Sequence, residues 1–244
     1  MKILVVLPTA QGVYPAEAEQ RRIDRCKSYA SATTEIEVGF PAARSGFMPY
    51  GGGEGSAYDR AHNHYLIAHR LIEAEKEGFD AALPFGMIDF GVELARSKVN
   101  IPIIGQTQAA YAMAAMMANH WGVISYQSSG HAMMRQQARA YGFEDFIIGW
   151  GAAEMSNADM PKQPELLFER FVNEGKRLVK AGAELIVCHG MSMCPIEFPA
   201  KTYADAIGVP VVEGLGAAVA MAEAWVRLGT PYSHVRHPGI RGEA

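Results

Sequence analysis

The chain repeats itself at long range. Residues 78–87 read GFDAALPFGM and residues 182–191 read GAELIVCHGM: a glycine, an apolar strand-like run, then a closing Gly-Met pair. Each is followed by a helical segment and then by a second matching run, NIPIIGQTQAA (100–110) and GVPVVEGLGAA (208–218). A period near 100 residues is too long for a solenoid. It predicts two similar α/β lobes. Ligands of open α/β sheets sit off the carboxyl ends of the strands, so the two Gly-Met strand ends mark a site, expected in the cleft between the lobes.

Short β-branched runs alternate with longer amphipathic ones, which is the pattern of βαβ units around a parallel sheet. Strands are predicted at 2–8, 34–40, 80–85, 101–105, 121–126, 146–150, 183–188 and 209–214. Helices are predicted at 16–31, 57–77, 91–98, 107–118, 129–141, 163–181, 197–207 and 215–228. The fold class is therefore α/β, with two pseudo-symmetric lobes, each a mainly parallel sheet flanked by helices. Residues 1–108 with 212–244 form the first lobe and 109–211 the second.

Composition narrows the function. The 244 residues are 49% hydrophobic and carry a net charge of −4. No Lys/Arg patch exists to neutralise phosphates, which argues against nucleic acid. No apolar run reaches the roughly 18 residues of a membrane span, and no basic amphipathic helix suits a membrane surface. The opening MKILVVLPTAQ stops being apolar at Pro8 and reads as a buried first strand rather than a signal peptide. Three cysteines without CxxC spacing suggest neither a disulfide framework nor a zinc site, so a reducing cytoplasm is expected. HNH (62–64) lies in a helix where residues two apart do not share a face, and GGGEGS (51–56) lacks the Gly-Lys-Ser/Thr ending of a phosphate loop. The latter reads as a loop capping the Tyr58 helix, in the position of a lid. Apolar strand and helix surfaces, including the Met cluster at 113–117, would suit packing within an oligomer.

The stretch VCHGMSMC (187–194) concentrates the reactive side chains. A cysteine thiol can exchange protons beside a carbonyl when nearby positive charge or helix dipoles stabilise the thiolate, and the same thiol can attack an amide or ester. Cys188 is the candidate, with burial as core filler the plain alternative. His189 follows it, and adjacent residues of a continuing strand point to opposite faces. Cys194 is a further option, and Cys26 on the RRIDRCKSY helix reads as structural. Gly86, Met87, Gly190 and Met191 close the twin strands, where free helix N–H groups could hold a carboxylate or an enolate. Thr9 past the first strand, and Ser125 and Tyr126 at the end of GVISY, offer hydroxyls for binding. Asp89 suits helix capping or catalysis.

With these residues in place the chain resembles the aspartate/glutamate/hydantoin racemase superfamily. MKILVVLPT is similar to its opening strand, GEGSAYDRA (53–61) to its Tyr-Asp loop, and DAALPFGMIDFGVELARSKVNIPIIG (80–105) to its first catalytic strand and helix. VPVVEGLGAAVAMAEAWVRLG (209–229) is similar to its closing strand and helix. The resemblance implies two pseudo-symmetric lobes, no cofactor, and a small carboxylate or cyclic amide as the partner molecule. It also implies a cysteine at the end of each twin strand. Gly86 stands at the first of these positions, which excludes a two-thiol racemase. At the second, a gap-free count places Gly190, whereas a shift of two residues restores Cys188. Arylmalonate decarboxylases share a glycine-plus-cysteine arrangement, although Met87 and Ile88 replace their hydroxyl residues.

Four readings follow. The first is a cofactor-independent decarboxylase, lyase or isomerase acting at the carbon alpha to a carboxylate or amide, with Cys188 as sole acid/base. The second is a hydrolase with Cys188 as nucleophile and His189 assisting. The third is an amino-acid or hydantoin-type racemase with a non-cysteine second base (Asp89, His189 or a water), and the last is a non-catalytic binding protein.

Overall fold

A computed structural model describes residues 1–43, 56–230, 232–233 and 235–237. The GGGEGS segment, except Ser56, lies outside the described residues. The chain divides into two compact units, unit 1 comprising Met1–Gln106 with Ala218–Ala244 and unit 2 comprising Thr107–Ala217.

Among the described residues, unit 1 carries a three-stranded parallel sheet ordered β2-β1-β3, with β1 Lys2–Val6, β2 Glu35–Gly39 and β3 Ala81–Pro84. Helices α1 (Ala16–Lys27), α2 (Ala57–Lys76) and α3 (Val92–Arg96) follow the strands. The central β1 is buried over Ile3–Val6, which is why it reads as an unbroken apolar run rather than an alternating one. Helix α2 buries Asn63, Ile67, Leu71 and Ala74 along one face, the spacing of an amphipathic stripe. Ile67, Leu71 and Ala74 pack with Leu4, Val6, Phe79, Ala82 and Phe90. Its start is fixed by a capping box in which Ser56 Oγ accepts from Asp59 N–H and the Asp59 carboxylate accepts from Ser56 N–H, a cap typically worth about 1 kcal/mol.

Among the described residues, unit 2 carries a four-stranded parallel sheet ordered β5-β4-β6-β7, with β4 Trp121–Ser125, β5 Ile147–Ala152, β6 Leu185–His189 and β7 Val211–Glu213. Its helices are α4 (Gln106–Met117), which it holds from Thr107 onward, α5 (His131–Ala140), α6 (Pro164–Lys180) and α7 (Ala200–Ile207), while α8 (Gly214–Leu228) begins in unit 2 and passes into unit 1 at Ala218. The core joins Ile124, Ile186 and Cys188 to Leu167, Phe171 and Leu178 of α6 and Tyr203 of α7. Helices α6 and α7 approach closely: a Cβ on Gly175 would fall 2.4 Å from Ile207 Cδ1, and the Phe171 and Tyr203 rings stack at 3.9 Å.

The alternation of strands and helices follows the sequence reading, with local differences. The predicted strand at 101–105 is reduced to a single bridge between Ile103 and Ala82. The helix expected from 197 starts at Ala200, after a wide turn over Ser192–Glu197. Met116 and Met117 are exposed at the end of α4.

Candidate active site

The repeat seen in the sequence has matching hydrogen bonds. Ala82 N–H donates to Pro102 O at 2.9 Å, and Ile186 N–H donates to Pro210 O at 3.0 Å. Asp80 accepts from Lys2 N–H and Glu184 accepts from Asn119 N–H, both at 2.7 Å. Asp80 and Glu184 are thus equivalent, as are Ala82 and Ile186, and the same offset carries Gly86 onto Gly190 and Pro84 onto Cys188. The structural repeat follows the gap-free count.

Cys188 lies in β6 on the side of the sheet that packs against α6 and α7. Its side chain is fully buried among Ile186, Phe171, Cys194 and Tyr203, and its thiol donates to Gly190 O at 3.5 Å. Cys194 shares that core, and Cys26 is buried in α1.

His189 takes the other face of β6, as strand alternation requires. Its ring is 2% exposed, and Nε2 lies 3.4 Å from Thr107 Oγ1. Burial pushes its pKa down to about 4, and the charge of His131 acts in the same direction, so the imidazole is neutral at physiological pH. Opposite His189 in register is Ser125, the last residue of β4. Its hydroxyl lies 3.1 Å from His131 Nε2, and that nitrogen is 3.2 Å from Gly151 O. A carbonyl oxygen only accepts, so Nε2 of His131 carries the proton and donates. Ser125 Oγ is itself within 3.2 Å of Gln127 O, which commits its proton to the backbone. The end of β4 and β6 therefore gathers two imidazoles and two hydroxyls at the sheet edge where α/β folds bind ligands.

Gly190 follows at the strand end. A Cβ there would lie 2.5 Å from Tyr126 Cε1 and 2.6 Å from Met193 Cε. Tyr126 is held by Ser192 N–H, which donates to its hydroxyl at 3.1 Å. Met191 is buried beside it. In unit 1, Gly86 has φ +134°, and a Cβ built on it would meet nothing within 4 Å. Its N–H donates to Gln106 Oε1 at 3.1 Å. Met87 and Thr9 are buried, with Thr9 Oγ1 donating to Ala10 O at 3.4 Å. Asp89 sits in a turn with φ +56°, and the first residue before α3 is Gly91, which provides no side-chain cap.

Of the residues singled out in the sequence, the structure groups His189, Ser125, Tyr126, Gly190 and Met191 at one end of the unit 2 sheet, and Gly86 and Met87 after β3. Thr107, His131 and Gln106 were missed. The signal for them was positional: Gln106 and Thr107 directly follow the twin strand IPIIG, and His131 follows GVISY by a few residues. Of the HNH residues, His64 accepts at Nδ1 from Gly91 N–H at 3.1 Å. Among the described residues no group of three or more His, Cys, Asp or Glu side chains is placed to hold a metal ion, and no helix is long and apolar enough to cross a membrane.

A hydantoin racemase from Rhizobium meliloti is 31% identical over 182 residues, spanning 71% of this chain and 73% of that protein. The fold matches allantoin racemase from Pseudomonas fluorescens with a TM-score of 0.84 at 22% identity, over 100% of this chain and 99% of that one. It matches arylmalonate decarboxylase more distantly, with a TM-score of 0.60 at 12% identity over 95% and 96% of the two chains. The family model for Asp/Glu/hydantoin racemases covers residues 50–222, and the chain belongs to that family of enzymes.

Proposed function

We propose that this protein moves a proton on and off the carbon alpha to a carbonyl in a small cyclic amide of the hydantoin type, without a cofactor, and that His189 carries the proton. The observation behind this reading is the buried, uncharged imidazole of His189 at the carboxyl end of β6. The kinship with a protein named hydantoin racemase supplies the substrate class.

The chemistry follows from the environment. A neutral imidazole takes the proton from a neutral carbon acid, which leaves an imidazolium and an enolate. Burial disfavours the imidazolium alone, but an adjacent enolate offsets that cost, because opposite charges attract strongly where water is excluded. The proton then returns to carbon, on the same face or, with a second donor, on the other. Thr107 Oγ1, 3.4 Å from Nε2, orients the ring. Cys188, wholly enclosed in the apolar core, is a packing residue in this reading.

The test is hydrogen exchange at carbon. Each enantiomer of 5-methylhydantoin is incubated with the protein in heavy water, and loss of the C5 proton is followed by NMR together with optical rotation. His189→Gln is expected to slow exchange by about 100-fold or more, while Cys188→Ala keeps it within a few fold. Exchange no faster than in buffer would overturn the substrate class. Full activity of His189→Gln, or loss of activity in a folded Cys188→Ala protein, would return the proton to the thiol.

A further inference from the structure

We infer that Tyr232 is a positioning residue for the carboxyl end of β3. Its hydroxyl takes the place of a missing strand at Ile103, and the placement of that segment sets the hydrogen bond by which Gln106 holds Gly86. All four residues belong to unit 1, and the relationship is independent of the proton transfer proposed for His189.

The twin runs IPIIGQ (101–106) and VPVVEG (209–214) are held differently. The second becomes β7, paired to β6 through Ile186 with Val211, Val187 with Val212 and Cys188 with Glu213. The first keeps, among the described residues, the one bridge between Ala82 and Ile103. There Ala82 N–H donates to Pro102 O at 2.9 Å and Ile104 N–H donates to Ala82 O at 3.0 Å. Successive residues of an extended chain turn their backbone groups to opposite sides, so the N–H and C=O of Ile103 point away from β3. Ile103 is fully buried, and a buried N–H without a partner costs its desolvation.

Tyr232 supplies the partner. Its hydroxyl accepts from Ile103 N–H and donates to Ile103 O at 2.9 Å, the two bonds that a paired strand exchanges with one residue. Arg96 Nε also donates to Ile103 O at 2.9 Å, so the carbonyl has a second partner, whereas the N–H depends on the hydroxyl. The Tyr232 ring is itself buried. The Arg96 guanidinium lies 5.5 Å from its centroid, and the rings of Trp225 and His237 lie at 5.0 and 5.4 Å. Packing therefore fixes where the hydroxyl sits. Ile104 and Gly105 alone separate Ile103 from Gln106, whose Oε1 accepts from Gly86 N–H at 3.1 Å. A displacement at Ile103 thus carries Gln106 with it, and Gly86 follows β3 at the end of the sheet where α/β folds bind ligands.

The experiment compares backbone amides of the 15N-labelled wild-type protein and Tyr232→Phe, which keeps the ring and removes the hydroxyl. The Gly86 amide resonance is expected to shift in the variant, while that of Val5 in the central strand stays in place. Hydrogen exchange at Ile103 is expected to accelerate about tenfold or more beyond any change at Val5. A shift is a property of the folded state, so a loss of global stability alone would not move Gly86. An unmoved Gly86 resonance overturns the inference, because the effect of Tyr232 then ends at Ile103. Acceleration at Ile103 no greater than at Val5 overturns it as well. If Tyr232→Phe does not fold, the wild-type protein decides through its exchange rates in sub-denaturing urea. Ile103 and Gly86 are then expected to open together, at a free energy below that of global unfolding, and separate openings would overturn the link between them.

Discussion

Tyr126 occupies the space that a side chain on Gly190 would need: the ring atom Cε1 lies 2.5 Å from the ideal Cβ position at 190. The two residues come from the ends of neighbouring strands, and Ser192 N–H pins the Tyr126 hydroxyl at 3.1 Å. Gly190→Ala should therefore be destabilising by about 1–3 kcal/mol, the usual cost of overpacking. Tyr126→Ala in the same chain should recover part of it, with a coupling of about 1 kcal/mol between the two sites. Urea denaturation of the four proteins of the cycle measures this. Strict additivity would mean that Met193, not Tyr126, sets the constraint.

The equivalent glycine of unit 1 should behave differently. Gly86→Ala meets no neighbour within 4 Å but inherits φ +134°, a backbone conformation that L side chains rarely adopt. Its cost is conformational strain, about 1–3 kcal/mol, with no partner whose removal relieves it. A cost near zero would show that the local backbone relaxes.

Cys188 should be chemically silent in the native state. It is fully enclosed in the apolar core with Phe171 and Tyr203, where an alkylating reagent cannot reach it without unfolding. Iodoacetamide labelling resolved by mass spectrometry should leave Cys188 unmodified in native buffer and modify it in urea. Cys188→Ala should cost about 1–2 kcal/mol through lost packing. Rapid native labelling with a pH midpoint below the usual thiol value would instead mark an activated cysteine.

Much of the architecture is legible in the sequence because both sheets are parallel. A strand buried on both faces must be apolar throughout, so KILVV, AALP, WGVIS and LIVCH stand out between helical stripes. The repeat, too, is visible, since both halves close a strand with Gly-Met. The register at the second strand end is not legible. A Cys-His-Gly-Met string fits two offsets, and only backbone pairing, such as Ile186 N–H to Pro210 O, chooses between them. Nor does the sequence say which side of β6 faces the core, because Cys188 and His189 are both credible on either side until α6 and α7 are placed. Gln106, Thr107 and His131 carry no local motif. Their roles arise from contacts with residues 20, 82 and 6 positions away, and the first two are tertiary in origin.

Acidification should expose the burial of His189 directly. An imidazole in the unfolded chain titrates near its ordinary value of 6.5, whereas burial holds the folded one at about 4. Between these values the unfolded chain binds a proton that the folded chain refuses, so stability rises with pH across this window. The contribution is complete above about pH 6.5 and is lost progressively as the pH falls toward 4, on the order of 2 kcal/mol by pH 5. Burial also lowers the pKa of His64 and His237, so these groups add a slope of the same sign. The informative quantity is thus the difference between the wild-type protein and His189→Gln. Urea unfolding at pH 7 and pH 5 should show the wild type losing more stability than the variant. Equal losses would place the acid sensitivity on His64 and His237 and would mean that the folded protein accepts a charge on His189 at little cost.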